Sequence, residues 1–320
     1  MDVKNRVAII GAGLIGRSWA IVFAGGGFDV ALYDVGLDIA AKARALVMQG
    51  KARALVMQGL SDVAEQGLID DPKAAAARVR VAANLADALD AVDLVQESLP
   101  ESIETKRAIF SELDRLAAPE AILASSTSTI VASLFTQSLK GRYRCLVAHP
   151  VNPPHLIPLV ELVGAPWTTA EIIAEAKAIY QAVGQEPITV KREIEGFILN
   201  RLQAVLLSEA FRLVEDGYVT PQDLDKTLKD GLGLRWSFMG PFETIELNAP
   251  GGIPDYCRRY GASLSALSAA NPAIYEGENL GRILAQREEA LTPDQVAARM
   301  RWRDRRLAAL RLHNRSQPAD

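Results

Sequence analysis

The sequence predicts an α/β protein: a Rossmann-type, doubly wound sheet at the amino end, followed by an all-α domain. Apolar, β-rich runs alternate with helical patterns as far as Pro187-Ile-Thr-Val190. A glycine-rich turn joins the first run to the first helix. From Gly196 onward the pattern is helical. The expected division is residues 1–192, a dinucleotide-binding domain, and 193–320, a helical substrate and dimerisation domain.

Arg6-Val-Ala-Ile-Ile10 is the first strand, and Gly11-Ala-Gly13-Leu14-Ile15-Gly16 leads into a helix through Ala24. Gly11 permits the tight turn, Gly13 leaves room for a pyrophosphate, and Gly16 lets the helix lie close on the sheet. Leu14 and Ile15 belong to the opening turn, whose N–H groups face the phosphates. A second strand, Phe28 to Tyr33, ends in Asp34, 18 residues after Gly16. An acid there accepts hydrogen bonds from the adenosine ribose and repels a 2′-phosphate, so the cofactor expected is NAD. A glycine triplet alone is weak; strand, triplet, helix and spaced acid together are specific.

Residues 42–50, Lys-Ala-Arg-Ala-Leu-Val-Met-Gln-Gly, recur identically as residues 51–59. Two copies read as a tandem duplication, since a repeat architecture needs several. Nine residues turn a helix by about 900°, so an unbroken helix would aim the two copies in opposite directions. Gly50 offers a C-cap instead, and a broken helix or extruded loop is expected.

Further apolar runs fall at 79–82, 92–95, 121–124 and 144–148, with helical patterns near 101–117 and 130–139. They imply a mostly parallel sheet with helices on both faces, extended by a strand around Leu159 to Val163. The helix Phe197 to Val214 is apolar around most of its circumference, which calls for burial on several sides, as a domain spine or a subunit interface. Thr220-Pro221 reads as an N-cap with proline at the first helical position, and Gly231 as that helix's end. Thr292-Pro293 repeats the device before a last helix, whose Arg301, Arg303, Arg305 and Arg306 read as a solvated face.

Two of the chain's three histidines lie between 149 and 161. His149 directly follows the apolar run Cys145 to Ala148 and precedes a proline-rich turn, while Glu161 ends the next apolar run. A lone histidine is more often structural, but the end of a buried strand beside a dinucleotide motif is where α/β enzymes place a base. Net charge is −4 and the pI near 5.6, so neither a nucleic-acid surface nor a polybasic membrane patch is indicated. Cys145 and Cys257 lack metal or disulfide spacing, so no metal is expected. No apolar run approaches 18 residues and the start carries no apolar signal segment, so a soluble cytoplasmic protein is expected.

The segments GAGLIGRSWA, QESLPESIETKRAIF, SSTST, AHPVNPP with PLVELV, GFILNRLQ and LGLRWSFMGPFETIELNAPGG, in this order, resemble the 3-hydroxyacyl-CoA dehydrogenase superfamily. Within it the chain is most similar to the λ-crystallin/L-gulonate 3-dehydrogenase branch. The resemblance implies that His149 and Glu161 are the catalytic pair, and that Ser128 and Asn200 contact substrate near the reacting carbon. It puts Asn152 in the turn after the histidine and Glu101 and Lys106 near the nicotinamide half of NAD. It also implies a homodimer, and a helical hairpin after the second strand that leans toward the substrate entrance. There the duplication would reshape access, expose an apolar patch, or do nothing. Arg235, in Gly231-Leu-Gly-Leu-Arg-Trp236, is read as gripping a substrate carboxylate or as anchoring a loop or subunit contact. The activity implied is NAD-dependent oxidation of the 3-hydroxyl of a small L-3-hydroxy acid such as L-gulonate. The alternatives are an acyl-CoA or carnitine substrate, or a non-catalytic, crystallin-like NAD-binding protein.

Overall fold

The computed structural model describes residues 5–34, 39–267 and 293–316. Their contacts form two units: the chain up to Asn200 together with the end of the chain from Arg301, and Arg201–Met300.

The first unit carries eight strands: β1 (Arg6–Ile10), β2 (Asp29–Tyr33), β3 (Val79–Val81), β4 (Leu94–Glu97), β5 (Ile122–Ser125), β6 (Cys145–Pro150), β7 (Leu159–Gly164) and β8 (Glu186–Val190). They form one sheet in the order β3-β2-β1-β4-β5-β6-β7-β8. Every neighbouring pair is parallel except β6 and β7, which run antiparallel. The strand order reverses between β1 and β4, and the crevice at the carboxyl ends beside that reversal is where such sheets bind ligands. Helices α1 (Leu14–Gly25), α2 (Ile39–Glu65), α3 (Pro72–Ala77), α4 (Leu85–Ala88), α5 (Ile103–Leu116), α6 (Ser133–Thr136) and α7 (Ala170–Ala182) complete the unit.

Strand alternation divides the core in two. In β1, Val7 and Ile9 join a cluster with Trp19, Phe23 and Tyr180, while Ala8 and Ile10 join Phe110, Leu113 and Phe135. In β6, Leu146 and Ala148 face the first cluster, and Cys145 and Val147 the second. Both faces of the sheet are covered, which is why these strands read as continuous apolar runs. Cys145 is buried as expected, and burial pushes its thiol up to about 12.

The break expected at Gly50 does not occur: α2 runs unbroken through both copies of the duplicated nonapeptide. A glycine ends a helix when it turns left-handed, and Gly50 is not among the glycines that do so. Beyond Gly50 the helix is held by packing, since Ala52, Val56, Leu60 and Val63 recur at helical spacing and all join the core cluster around Trp19.

In the second unit, α8 (Leu199–Glu215) leads to α9 (Pro221–Lys226), a π-helical turn (Thr227–Leu232), α10 (Gly233–Trp236), α11 (Pro241–Leu247) and α12 (Gly252–Leu267). Thr220 Oγ1 accepts the amide of Asp223 at 3.2 Å, the expected cap. Gly231 does not close that helix: the π-helical turn widens there and the backbone continues into α10. The apolar α8 is also less buried than expected, since Val214 is its buried residue, while Leu202 is 66% and Val205 72% exposed.

The last helix, α13 (Pro293–Ser316), returns to the first unit from Arg301 on. Ala308 enters the core, and Arg311 donates to the carbonyls of His155 and Gly184, both at 2.7 Å. Arg301, Arg305 and Arg306 are exposed; Thr292 lies outside the described residues. Among the described residues no helix is long and apolar enough to cross a membrane.

Candidate active site

The turn after β1 is built around two glycines that tolerate no side chain. Gly11 takes φ +107°, and a Cβ there would lie 2.7 Å from the Ser98 carbonyl oxygen. A Cβ on Gly16 would stand 1.8 Å from the Gly11 carbonyl oxygen, so α1 can approach the strand only with glycine at this position. Gly13 differs: nothing lies within 4 Å of its missing Cβ, which leaves open space at the head of α1. Gly13 supplies no side-chain cap, the first turn of α1 holds no acid, and Leu14 is half exposed. The first-turn N–H groups are therefore available to an anion. Asp34 stands at the end of β2, where its Oδ2 accepts the Ala12 amide at 3.0 Å. Open space at Gly13, an uncapped helix start carrying Leu14 and Ile15, and a carboxylate beside them fit a dinucleotide.

His149 and Glu161 are direct partners in the antiparallel register of β6 and β7. Both continue the face that carries Val147 and Val163, so the register alone brings their side chains together. Nδ1 of His149 lies 2.8 Å from Oε2 of Glu161, and both residues are buried. The other carboxylate oxygen accepts the amides of Ile198 at 2.8 Å and Leu199 at 3.0 Å, at the start of α8. Burial opposes charge on Glu161, but the bonds from His149, Leu199 and Ile198 outweigh it and hold the carboxyl below its usual range. Phe197, fully buried with φ +49°, sets its ring 5.3 Å from the imidazole. A non-glycine residue in the left-handed region is strained, and here it follows Gly196 at φ +74°.

Two more expected residues meet nearby: Asn200 Nδ2 donates to the Ser128 carbonyl at 2.8 Å. Ser128 is exposed, in the loop following β5. Glu101 holds that loop, accepting Thr127 Oγ1 at 2.6 Å and the amides of Ser128 and Thr129 at 3.0 Å each. Burial works against its charge, but these bonds and the nearby Lys106 keep its carboxyl low. Lys106 is itself fully buried, its ammonium donating to Glu97 Oε1 at 2.8 Å and to the Leu99 carbonyl at 3.0 Å. Asn152 is exposed in the turn after β6. Arg235 lies in the second unit, on α10.

Sequence reasoning missed the buried polar groups beneath the loop. Glu97 bonds Lys106, the Leu99 amide and, at 2.6 Å, Ser125 Oγ. Ser126 Oγ receives Trp19 Nε1 at 3.1 Å and Gln96 Nε2 at 2.7 Å, and Gln96 in turn accepts from the Tyr180 hydroxyl. The available signal was a Gln-Glu pair closing the apolar strand Leu94-Val95, where polar side chains need partners.

Comparison with known proteins decides the family. Residues 6–194 match the 3-hydroxyacyl-CoA dehydrogenase NAD binding domain, and residues 196–286 match the C-terminal domain of the same enzymes. The chain belongs to the 3-hydroxyacyl-CoA dehydrogenase family. It is 38% identical to λ-crystallin of Oryctolagus cuniculus, over 98% of this chain and 97% of that protein. Identity to L-carnitine dehydrogenase of Pseudomonas putida is 34%, over 97% and 93% of the two chains. Among solved structures it resembles an NAD+-dependent dismutase, 5-formyl-3-hydroxy-2-methylpyridine 4-carboxylic acid 5-dehydrogenase. That likeness has a TM-score of 0.80 and 28% identity, covering 98% of this chain and 99% of that one. Family and relatives make this chain an NAD-dependent oxidoreductase of the 3-hydroxyacyl-CoA dehydrogenase type.

Proposed function

We propose that the chain oxidises the 3-hydroxyl of a small, free L-3-hydroxy acid, L-gulonate or a close analogue, with His149 as the base. The observation that carries this reading is the buried cross-strand pair, with Glu161 on Nδ1 at 2.8 Å. A carboxylate on Nδ1 keeps the proton on that nitrogen, which leaves Nε2 as the acceptor for the substrate hydroxyl proton. Glu161 then balances the imidazolium as it forms, and the amides of Ile198 and Leu199 hold the carboxylate in place. NAD, when bound, supplies the hydride acceptor. Ser128 and Asn200, joined by their hydrogen bond, stand to orient the substrate oxygen. Glu101 fixes the Ser128 loop and Asp34 serves the adenosine ribose. Arg235 is proposed to pair with the substrate carboxylate, which Arg235→Leu would show as a raised substrate KM with unchanged NADH affinity.

The likeness to L-carnitine dehydrogenase over nearly the full length supports a free acid, while an equal identity to a 3-hydroxyacyl-CoA dehydrogenase keeps the thioester as the reading to test against. NADH formation with L-gulonate, L-3-hydroxybutyrate, L-carnitine and L-3-hydroxybutyryl-CoA, beside His149→Ala, tests both parts. Turnover of a free acid, abolished in the variant, is the expected result. Turnover of the thioester alone moves the substrate to the acyl-CoA class, and silence with NADH binding intact revives the structural-protein reading. We also propose that the protein acts as a homodimer, supported by the exposed apolar residues of α8. Sedimentation velocity distinguishes dimer from monomer.

A further inference from the structure

The two copies of the nonapeptide are chemically identical, yet the Gln-Gly pair that ends each one occupies opposite environments on α2. Gln49, in the first copy, is buried, whereas its counterpart Gln58 is exposed and bonds Asp62 at 2.8 Å. Gly50 faces open space, whereas a Cβ on Gly59 would stand 2.3 Å from Ile21 Cδ1. This is the half-turn offset that nine residues impose on a straight helix. The second copy packs the helix: Ala52 and Val56 enter the core, and Gly59 lets α2 close on α1. The first copy prolongs α2 toward its amino end by about 13.5 Å.

That prolongation brings Gln49 to the end of β2. Its Nε2 donates to the Asp34 carbonyl oxygen at 3.1 Å, and the Asp34 carboxylate in turn accepts the Ala12 amide between Gly11 and Gly13. Two hydrogen bonds thus connect the duplicated segment to the glycine turn. Gln49 Oε1 is buried without a hydrogen-bond partner among the described residues, so the donor half of the amide alone anchors the side chain. Flipping the amide would set Oε1 against the Asp34 carbonyl, acceptor against acceptor, so the orientation is fixed.

We propose that the duplication gave this protein an additional positioning residue for the dinucleotide: Gln49 holds the exit of β2 so that Asp34 faces the glycine turn. The consequence falls on the adenosine half of NAD, and the inference rests on Asp34 serving the ribose. The test is binding of ADP-ribose and of NADH to the full chain, followed by calorimetry and fluorescence. Gln49→Met keeps the length and bulk of the side chain and removes the donor. It should weaken ADP-ribose and NADH alike, by roughly three- to tenfold, the scale of one hydrogen bond. Gln58→Met, the same change in the other copy, should leave both affinities at the wild-type value. A chain carrying a single copy of the nonapeptide is the second variant, in case Gln49→Met does not fold. With Gly59's contact to Ile21 setting the helix register, its one glutamine falls in the exposed position, and it should show the same loss. Wild-type ADP-ribose affinity in either folded variant overturns the proposal. Failure of the unmodified chain to bind NADH or ADP-ribose would instead overturn the underlying assignment of Asp34.

Discussion

Replacing Glu161 with glutamine separates the two tasks that its carboxylate performs. Three donors converge on it: the Ile198 and Leu199 amides on one oxygen, at 2.8 and 3.0 Å, and His149 on the other, at 2.8 Å. In Glu161→Gln the amide oxygen still accepts both backbone N–H groups, so the start of α8 keeps its partner. The NH2 group must then face the imidazole, and Nδ1 has to accept. The histidine proton moves to Nε2, the nitrogen that should receive the substrate proton. The expected loss in kcat is roughly 10³–10⁴, the scale of a base held in the wrong tautomer. Stability should fall by only about 1–3 kcal/mol, because one charge-assisted bond is replaced and no amide is orphaned. The assay is kcat at saturating NAD+ and hydroxy acid, beside a urea melt and an NADH titration, the last expected to be unchanged. A folded Glu161→Gln within about tenfold of wild-type kcat would refute the tautomer argument and leave Glu161 as a helix cap.

Three further outcomes follow from the geometry. Gly16→Ala, whose new methyl would lie 1.8 Å from the Gly11 carbonyl, should cost about 3 kcal/mol or more in urea melts. Gly13→Ala should keep a wild-type Tm and lose at least about tenfold in NADH affinity, because its methyl enters open space where phosphate is expected. Lys106→Met strands the buried Glu97 carboxylate and should destabilise by about 3–5 kcal/mol, with Glu97→Gln added in the same chain recovering most of it. The carboxyls of Glu161 and Glu101 lie below their usual value in the folded protein, so each stabilises the fold at pH above its unfolded value. That contribution disappears as pH falls from about 4.5 through the folded values. Urea melts between pH 6 and pH 3 should show the decline, and Glu161→Gln should flatten it.

The parts of this molecule most legible in its sequence are those where a local rule and the tertiary structure agree. Gly11, Gly16 and Asp34 stood out because a strand, a tight turn and a spaced acid leave few residue types possible. His149 and Glu161 were visible as polar residues ending apolar runs, although their pairing is a matter of register, which spacing alone does not specify. The network under the Ser128 loop was not legible. Glu97 and Ser125, and likewise Gln96 and Ser126, become partners only when β4 and β5 lie side by side, 28 or more residues apart in sequence. At Gly50 and Gly231 local propensity misled, because both glycines lie inside helices that core packing or a π-helical turn carries onward.

The duplicated nonapeptide has a consequence at the level of heredity. Removing residues 42–50 or residues 51–59 yields the same chain, so one in-frame excision anywhere in the repeat erases the insertion. The folded protein does not share that indifference, since one copy lies against Ile21 and the other against Asp34. Divergence under selection should therefore be lopsided. Gly59, closed on by Ile21, and Gln49, bonded to the end of β2, should be retained, while Gly50 and Gln58 are free to drift. Each drifted position would remove part of the identity that makes excision easy, so Gly50 and Gln58 are where the insertion would become permanent.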